Sequence, residues 1–310
     1  MNNLHCPSCD QPATFLAYGV VAPWIVELCH VQDDQTSLCR CSGCRLNFFS
    51  HRYSDEELTH LYSDYRSDRF FRLRHSWEPW YNNSVNEAFS DRRPNDDQIE
   101  DRRNYTRQAL LGAGIVLDEL NGCLDFGGDH GQFIPPEIGG NLFVVEKGSS
   151  SKSSTNGITF VESLEQVPGE VDLVLNCYVL EHLPEIRDVL VEMRRRLRPG
   201  GVVHFEVPLD KFAVSRVHRS STYRRYLRFL TGHKRLFSVV DFLTGVYRHF
   251  FGRIVWFGIV KQSEHINYFD SYSLSYYLES RGGEVVFLSG PDYRYKVGSV
   301  RQGRIACTVR

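Results

Sequence analysis

The chain has 310 residues, of which 42% are hydrophobic and 24% charged, with a formal net charge of −2 at pH 7. At roughly 150 residues per domain this length predicts two domains, and so ordinary a composition excludes a disordered, collagenous or coiled-coil chain. The near-neutral charge excludes whole-molecule attraction to nucleic acid, and the chain contains no apolar run long enough to span a bilayer.

The opening Met1-Asn2-Asn3-Leu4-His5-Cys6 has neither a basic nor an apolar export region, so a cytoplasmic setting is expected. Nine cysteines without an export signal favour metal ligation over a disulfide framework. Six of them (Cys6, Cys9, Cys29, Cys39, Cys41, Cys44) mark a small module over residues 1–50. Cys6-x-x-Cys9 and Cys41-x-x-Cys44 have the knuckle spacing that offers four thiolates to one tetrahedral zinc ion. The 31 residues between the pairs leave room for a small sheet carrying Phe15 and Trp24. Cys39 rivals Cys41, and Cys29 or His30 is a substitute ligand. Four thiolates close the coordination sphere, which makes the ion structural. The competing reading is a small core of reduced, unliganded cysteines. The module lacks a basic stripe, which argues against nucleic acid.

Residues 51–106 read as a helical connecting segment. Ser54-Asp55-Glu56-Glu57 is a capping box that opens a helix through Leu58, Leu61 and Tyr62. Beyond it come Arg, Asp and aromatic residues whose periodicity is too weak to assign. Tyr65 is a candidate to close over a substrate, with simple packing as the alternative.

From residue 107 onwards short apolar runs alternate with helical patterns. Strands are predicted at Cys123–Phe126, Leu142–Val145, Ile158–Val161, Val171–Leu175, Val202–Val207, Val285–Leu288 and Ile305–Val309. Ile186, Val189, Leu190, Met193 and Leu197 recur at helical spacing, with Pro184 suited to the first turn and Pro199-Gly200-Gly201 as the stop. Leu274–Ser280 is a second short helix. Strands alternating with helices form a mostly parallel α/β sheet whose ligand site lies beyond the carboxyl ends of its strands.

The first of these strands runs into Asp125-Phe126-Gly127-Gly128-Asp129-His130-Gly131. A pyrophosphate cradle needs G-x-G-x-x-G. Counted from Gly127, the second glycine is replaced by Asp129 and the last by Gln132, and Asp129 would repel a dianion. An acidic turn suits S-adenosylmethionine, which carries a sulfonium and an ammonium against one carboxylate. Glu146 follows 21 residues after Asp125, at a strand end where a carboxylate can accept both ribose hydroxyls. An ordinary glycine-rich turn beside a surface glutamate is the plain alternative.

These segments, with Val171–Leu183 and Leu197-Arg198-Pro199-Gly200-Gly201, resemble the class I S-adenosylmethionine-dependent methyltransferases over about residues 107–310. The resemblance implies a Rossmann-like sheet whose last strand is antiparallel. It implies that Asp125, Gly127, Gly128 and Gly131 wrap the methionine part, Glu146 holds the ribose, Glu162 or its neighbours flank the adenine, and Asn176 to Tyr178 line the cofactor. Two departures stand out. Asp129 takes the place of a glycine, and Pro135-Pro136 leaves the helix that normally follows the turn short or lost. A cysteine module followed by Arg45-Leu46-Asn47-Phe48-Phe49, a helix and a methyltransferase core resembles bacterial methyltransferases of sugar nucleotides, polysaccharides and secondary metabolites.

Methyl transfer to a hydroxyl needs a base near neutral pH, which histidine supplies best. Glu264-His265 before an aromatic run resembles the base of zinc-bearing sugar methyltransferases, so His265 is the first candidate, with Glu264 polarising it and His182 second. Each histidine has a packing or capping role as its alternative. Residues 211–261 hold eleven Lys/Arg against the single acid Asp241, a formal charge of +10 (11 − 1), interleaved with aromatics. Such a segment is expected as a lid inserted after the fifth strand, suited to a phosphorylated acceptor and to peripheral contact with an anionic membrane. The expected function is methylation of a sugar, nucleotide sugar or glycan. The alternatives are a methyltransferase of RNA or another small metabolite, and a non-catalytic zinc-ribbon interaction protein.

Overall fold

The computed structural model of the protein describes residues 4–63, 65, 67–83, 86, 96–146, 157–209, 213–289, 294–297 and 300–310. In chain order the elements are β1 (Ala13–Val21), α1 (Pro23–Cys29), β2 (Gln35–Cys41), β3 (Asn47–Phe49), α2 (Asp55–Ser63), α3 (Asp68–Trp77) and α4 (Asp96–Gly112). They continue with β4 (Asn121–Phe126), β5 (Gly139–Val145), β6 (Ile158–Val161), β7 (Val171–Cys177), α5 (Val189–Arg194) and β8 (Leu197–Pro208). The last are α6 (Ser221–Thr231), α7 (Lys234–Phe251), β9 (Lys261–Gln262), β10 (Asn267–Tyr268), α8 (Ser271–Glu279), β11 (Val285–Leu288), β12 (Arg294–Val297) and β13 (Val300–Val309).

These elements form two compact units. The first comprises Met1–Cys6, Asp10–Arg92 and Asp210–Tyr268, the second Pro7–Cys9, Arg93–Leu209 and Phe269–Arg310.

In the first unit a five-stranded sheet has the order β10-β3-β2-β1-β9, antiparallel except for the parallel β1–β9 pair. The expected capping box opens α2: Ser54 N–H donates to Glu57 Oε2 (2.8 Å) and Glu57 N–H to Ser54 Oγ (3.2 Å). Pro23 occupies the first turn of α1, where its missing N–H costs nothing. Trp24 thus lies on a helix, whereas Phe15 lies on β1 as expected. Tyr65 packs partly buried against this core, its ring 5.3 Å from that of Phe70. The basic stretch 211–261, expected as an insertion in the methyltransferase core, belongs to this first unit; Lys211 and Phe212 lie outside the described residues. The reason is its apolar spacing: Tyr223, Leu227 and Leu230 of α6 and Phe237 and Val240 of α7 pack into the core built on Trp24, Ile25, Phe49 and Phe70. Burying large apolar side chains at about 1.5–3 kcal/mol each outweighs any tendency of the basic residues to splay outward.

The second unit is built on a sheet of order β11-β13-β8-β7-β4-β5-β6, with β12 paired to β13. Strands β6, β5, β4, β7 and β8 run parallel, and β13 is antiparallel to both β8 and β11. All seven predicted strands are present, and β12 is additional. No helix follows the glycine turn; residues 127–138 run through turns to β5, as Pro135-Pro136 requires.

The predicted helix over 186–197 is only α5. Its first turn is replaced by Tyr277, whose buried hydroxyl donates to Ile186 O (2.8 Å) and accepts from Leu190 N–H (3.3 Å). Leu197-Arg198-Pro199-Gly200-Gly201 extends β8 through an irregular register, Val171 pairing with Leu197 and Leu173 with Val202. Helix α8 starts three residues before Leu274 because Asp270 caps it, accepting from Ser273 N–H at 2.7 Å. Among the described residues no helix is long and apolar enough to cross a membrane.

Candidate active site

The glycine turn after β4 is tight, and its contacts explain its residues. Gly127 N–H donates to Val145 O (2.8 Å), and Gly127 has φ +74. A Cβ at Gly127 would meet Val179 Cγ2 at 2.5 Å, and one at Gly128 would meet Asp125 Oδ2 at 2.1 Å. At Gly131 (φ +69) a Cβ would approach Ile158 and Val144 to 2.9 Å. Asp129 also has a left-handed backbone (φ 51), which Asp tolerates better than most residues. Its N–H donates to Glu146 Oε2 (3.3 Å), so the turn is tied to the carboxylate at the end of β5. Glu162 is exposed just past β6, its N–H donating to Gln166 Oε1 (2.8 Å).

The carboxyl ends of β4 and β7 carry buried polar atoms that the fold leaves unsatisfied. Among the described residues Asp125 Oδ2 and both Oδ1 and Nδ2 of Asn176 lack hydrogen-bond partners, although Asp125 is 3% and Asn176 0% exposed. Natural folds rarely leave such groups orphaned without a functional reason. Burial pushes the Asp125 carboxyl up to about 7; Arg102 opposes the rise, while Glu146, Glu206 and Asp129 add to it. Tyr178 follows in the left-handed region (φ 62), a strained conformation for an aromatic residue. The Arg102 guanidinium lies 3.8 Å from the Phe133 ring centre and 4.8 Å from that of Tyr178.

Arg102 escaped the sequence reading. The available signal was the spacing of Arg102, Tyr105, Thr106, Ala109 and Leu110 along α4, the last four of which are buried. Within the electrostatic reach of Arg102, the central strands carry a hydrogen-bonded network centred on Glu206. Glu206 Oε1 accepts from Thr106 Oγ1 (3.1 Å), Glu206 Oε2 from Arg304 Nη1 (3.1 Å), and His204 Nε2 lies 3.3 Å from Glu206 Oε1. Burial works against its charge, yet His204 and Arg304 bring Glu206 below the ordinary carboxylate range. Glu206 thus holds a fixed negative charge, in contrast to Asp125. A groove of about 420 Å³ is lined by Phe126 of the turn, Leu164, Val189, three carboxylates (Glu185, Asp188, Glu192) and Arg187.

The histidine candidates fall in different units. His182, in the second, follows β7; its N–H donates to Val179 O (2.9 Å) and its Nε2 lies 4.0 Å from Glu181 Oε1. Glu264 and His265 belong to the first. Glu264 Oε1 accepts from Arg74 Nη1 (2.8 Å), and Arg74 Nε donates to Glu78 Oε2 (3.0 Å). The same guanidinium lies 4.0 Å from the Tyr81 ring centre and 4.8 Å from that of Trp24. Tyr268 OH donates to His265 O (2.9 Å).

The four knuckle cysteines come together. One ligand atom from each of Cys6, Cys9, Cys41 and Cys44 lies within 4.8 Å of the others. Cys6 Sγ is 3.6 Å from Cys44 Sγ, close to the edge of about 3.8 Å expected for a tetrahedron with zinc–sulfur bonds of about 2.3 Å. Gly43 and Cys44 N–H donate to Cys41 Sγ (3.3 and 3.4 Å), the arrangement that stabilises a thiolate. Cys39 turns aside, its thiol donating to Ser37 O (3.8 Å), and Cys29 is buried in the core of the first unit.

A methyltransferase-domain family model matches residues 99–287. The chain belongs to that family. Within it, the mostly parallel sheet with antiparallel β13 is the class I S-adenosylmethionine-dependent methyltransferase fold. A curated relative, the ubiquinone biosynthesis O-methyltransferase of Pseudomonas syringae pv. tomato, is 29% identical over 144 residues, 44% of this chain. The match spans 60% of that relative's length. Among solved structures, N-methyltransferase NodS from Bradyrhizobium japonicum WM9 in complex with S-adenosyl-l-homocysteine is 14% identical with a TM-score of 0.40. That match covers 74% of this chain and 98% of NodS. A putative S-adenosylmethionine-dependent methyltransferase from Listeria monocytogenes is 9% identical with a TM-score of 0.42, covering 67% of this chain and 96% of that one.

Proposed function

We propose that this methyltransferase binds S-adenosylmethionine at the carboxyl edge of β4, β5 and β7 and methylates an oxygen of a sugar, nucleotide sugar or glycan. The observation that carries the reading is the pair of buried, unsatisfied side chains Asp125 and Asn176 beside a turn that admits no Cβ at Gly127 or Gly128. A cationic ligand with donor and acceptor groups would satisfy both. Bound S-adenosylmethionine supplies an electrophilic methyl group. Gly127, Gly128 and Gly131 let the backbone approach it closely, Asp125 answers its positive charge, and Glu146 is available to the ribose hydroxyls. Glu162 flanks the adenine, and Asn176 and Tyr178 line the opposite wall. The O-methyltransferase relative supports oxygen as the acceptor atom.

For the acceptor proton, His265 is the base and His182 the second choice. Arg74, partly buried, anchors Glu264, and the buried Tyr268 fixes the backbone at His265. The donor set of Cys6, Cys9, Cys41 and Cys44 fits a structural zinc ion with no open position. Calorimetry with S-adenosylmethionine tests the cofactor site, and a mass-detected screen of nucleotide sugars and glycans tests the acceptor. No cofactor binding at hundreds of micromolar would favour a non-catalytic interaction protein. Methylated RNA with steeply salt-dependent affinity would move the substrate to nucleic acid.

A further inference from the structure

Helix α7 is apolar on two sides. One buries Phe237 and Val240 in the core of the first unit. On the other, Leu236, Val239, Leu243, Val246 and Phe250 recur at i, i+3, i+7, i+10 and i+14, and they are 39–72% exposed. Trp256, in the turn that follows, is 66% exposed. Folding explains the first stripe but not the second, and a continuous apolar strip of this kind marks an interaction surface.

The charge of the segment that carries the strip points to the occupant. Eleven Lys/Arg face one acid in residues 211–261, and that acid, Asp241, is buried and paired with Lys261 inside the unit. Arg225, Arg228, Lys234, Arg235 and Arg253 are exposed. A second copy docking on the strip would bring two strongly cationic surfaces together, which disfavours self-association. An anionic bilayer surface complements the charge, and exposed Phe and Trp beside Arg and Lys are the interfacial pattern of an amphipathic helix lying in the headgroup plane.

We propose that α7, flanked by α6 and the Trp256 turn, docks this protein peripherally on anionic phospholipid membranes. The strip enters the headgroup–acyl boundary and the surrounding basic side chains meet lipid phosphates. This surface is independent of the cofactor reading and is tested apart from activity.

The experiment is cosedimentation of the full chain with phosphatidylcholine vesicles, with and without about 30 mol% phosphatidylglycerol. Binding is expected only with the anionic lipid, and it should weaken as salt rises from about 0.1 to about 1 M, which shortens the screening length from about 10 to about 3 Å. R225Q/R228Q should lower the partition coefficient about 30-fold, at about 1 kcal/mol per basic side chain. Phe250→Ser should lower it about tenfold or more. Trp256 fluorescence should shift to the blue on binding, and W256F should lose that shift. These side chains are exposed, so each variant should keep the parent's circular dichroism and cofactor affinity. Absent sedimentation, or equal sedimentation with neutral and anionic vesicles, overturns the proposal. So does a dimer in analytical ultracentrifugation that Phe250→Ser dissociates while vesicles are ignored, which would give the strip to a second copy.

Discussion

Replacing Asp125 with Asn separates the demands of the ligand from those of the fold. Asp125 is 3% exposed, and burial carries its pKa from 3.8 to about 7. Arg102 from α4 opposes the rise; Glu146 from the end of β5, Glu206 from β8 and Asp129 from the turn reinforce it. The unfolded chain ionises this group at its ordinary value. Between about pH 4 and pH 7 the folded state therefore holds a proton that the unfolded state has lost, and stability falls as pH rises. At about 1.36 kcal/mol per pKa unit, the whole interval amounts to about 4 kcal/mol. D125N carries no charge to desolvate. In the absence of ligand it should exceed the parent by up to about 4 kcal/mol at pH 8, a gain in melting temperature on the order of 10 °C. At about pH 5 the advantage should shrink to roughly a third, because the parent is largely protonated there. The same variant should lose S-adenosylmethionine affinity, since the charge that burdens the fold is the one offered to the sulfonium and ammonium. Thermal melts at both pH values, followed by calorimetry, check this. An advantage of equal size at both pH values, or none at pH 8, would refute the assignment of a carboxylate held against its own desolvation.

Other perturbations address the remaining parts. Gly128→Ala places a methyl 2.1 Å from Asp125 Oδ2 in a buried corner, so it should cost about 1–3 kcal/mol of stability by urea unfolding and abolish cofactor binding by calorimetry. Tyr277→Phe leaves Ile186 O and Leu190 N–H without their partner and should cost about 1–3 kcal/mol without changing the KM for the cofactor. Elemental analysis should find about one zinc per chain, and C44S should lose the metal and lower the melting temperature of the first unit. His265→Ala should reduce kcat by about 10²–10⁴-fold if His265 is the base; an unchanged rate would transfer the role to His182, whose alanine variant is the control.

What was legible in the sequence divides along physical lines. Strands β4 to β8, β11 and β13 were readable because each carries a short apolar run, and the α2 capping box was readable because both reciprocal bonds are local. The cysteine quartet was legible for the same reason: two x-x knuckles are local turns, and closure of the sheet brings the pairs together. Where long-range partners decide, local pattern failed. The helix predicted from Ile186 begins at Val189 because a hydroxyl 87 residues away in the chain takes over its first turn. The segment 211–261 follows β8, the fifth predicted strand, as read; what local pattern did not show is that Tyr223, Leu227 and Phe237 pack into the core of the first unit.

The candidate site shows the same division at the level of single side chains. The turn glycines announce themselves, since only a missing Cβ fits at 127 and 128. Arg102 does not, because its meaning comes from strands whose residues lie far along the chain. Asp125 on β4 and Glu206 on β8, two buried carboxylates on the strands either side of β7, are given opposite characters. Glu206 is surrounded by Thr106, His204 and Arg304 and stays ionised, whereas Asp125 keeps an unsatisfied oxygen and gives up its charge readily. A fold needing only stability would have supplied partners to both. That one carboxylate is satisfied by the protein and the other is left for something else is the physical reason to look for a cationic ligand at Asp125 rather than at Glu206.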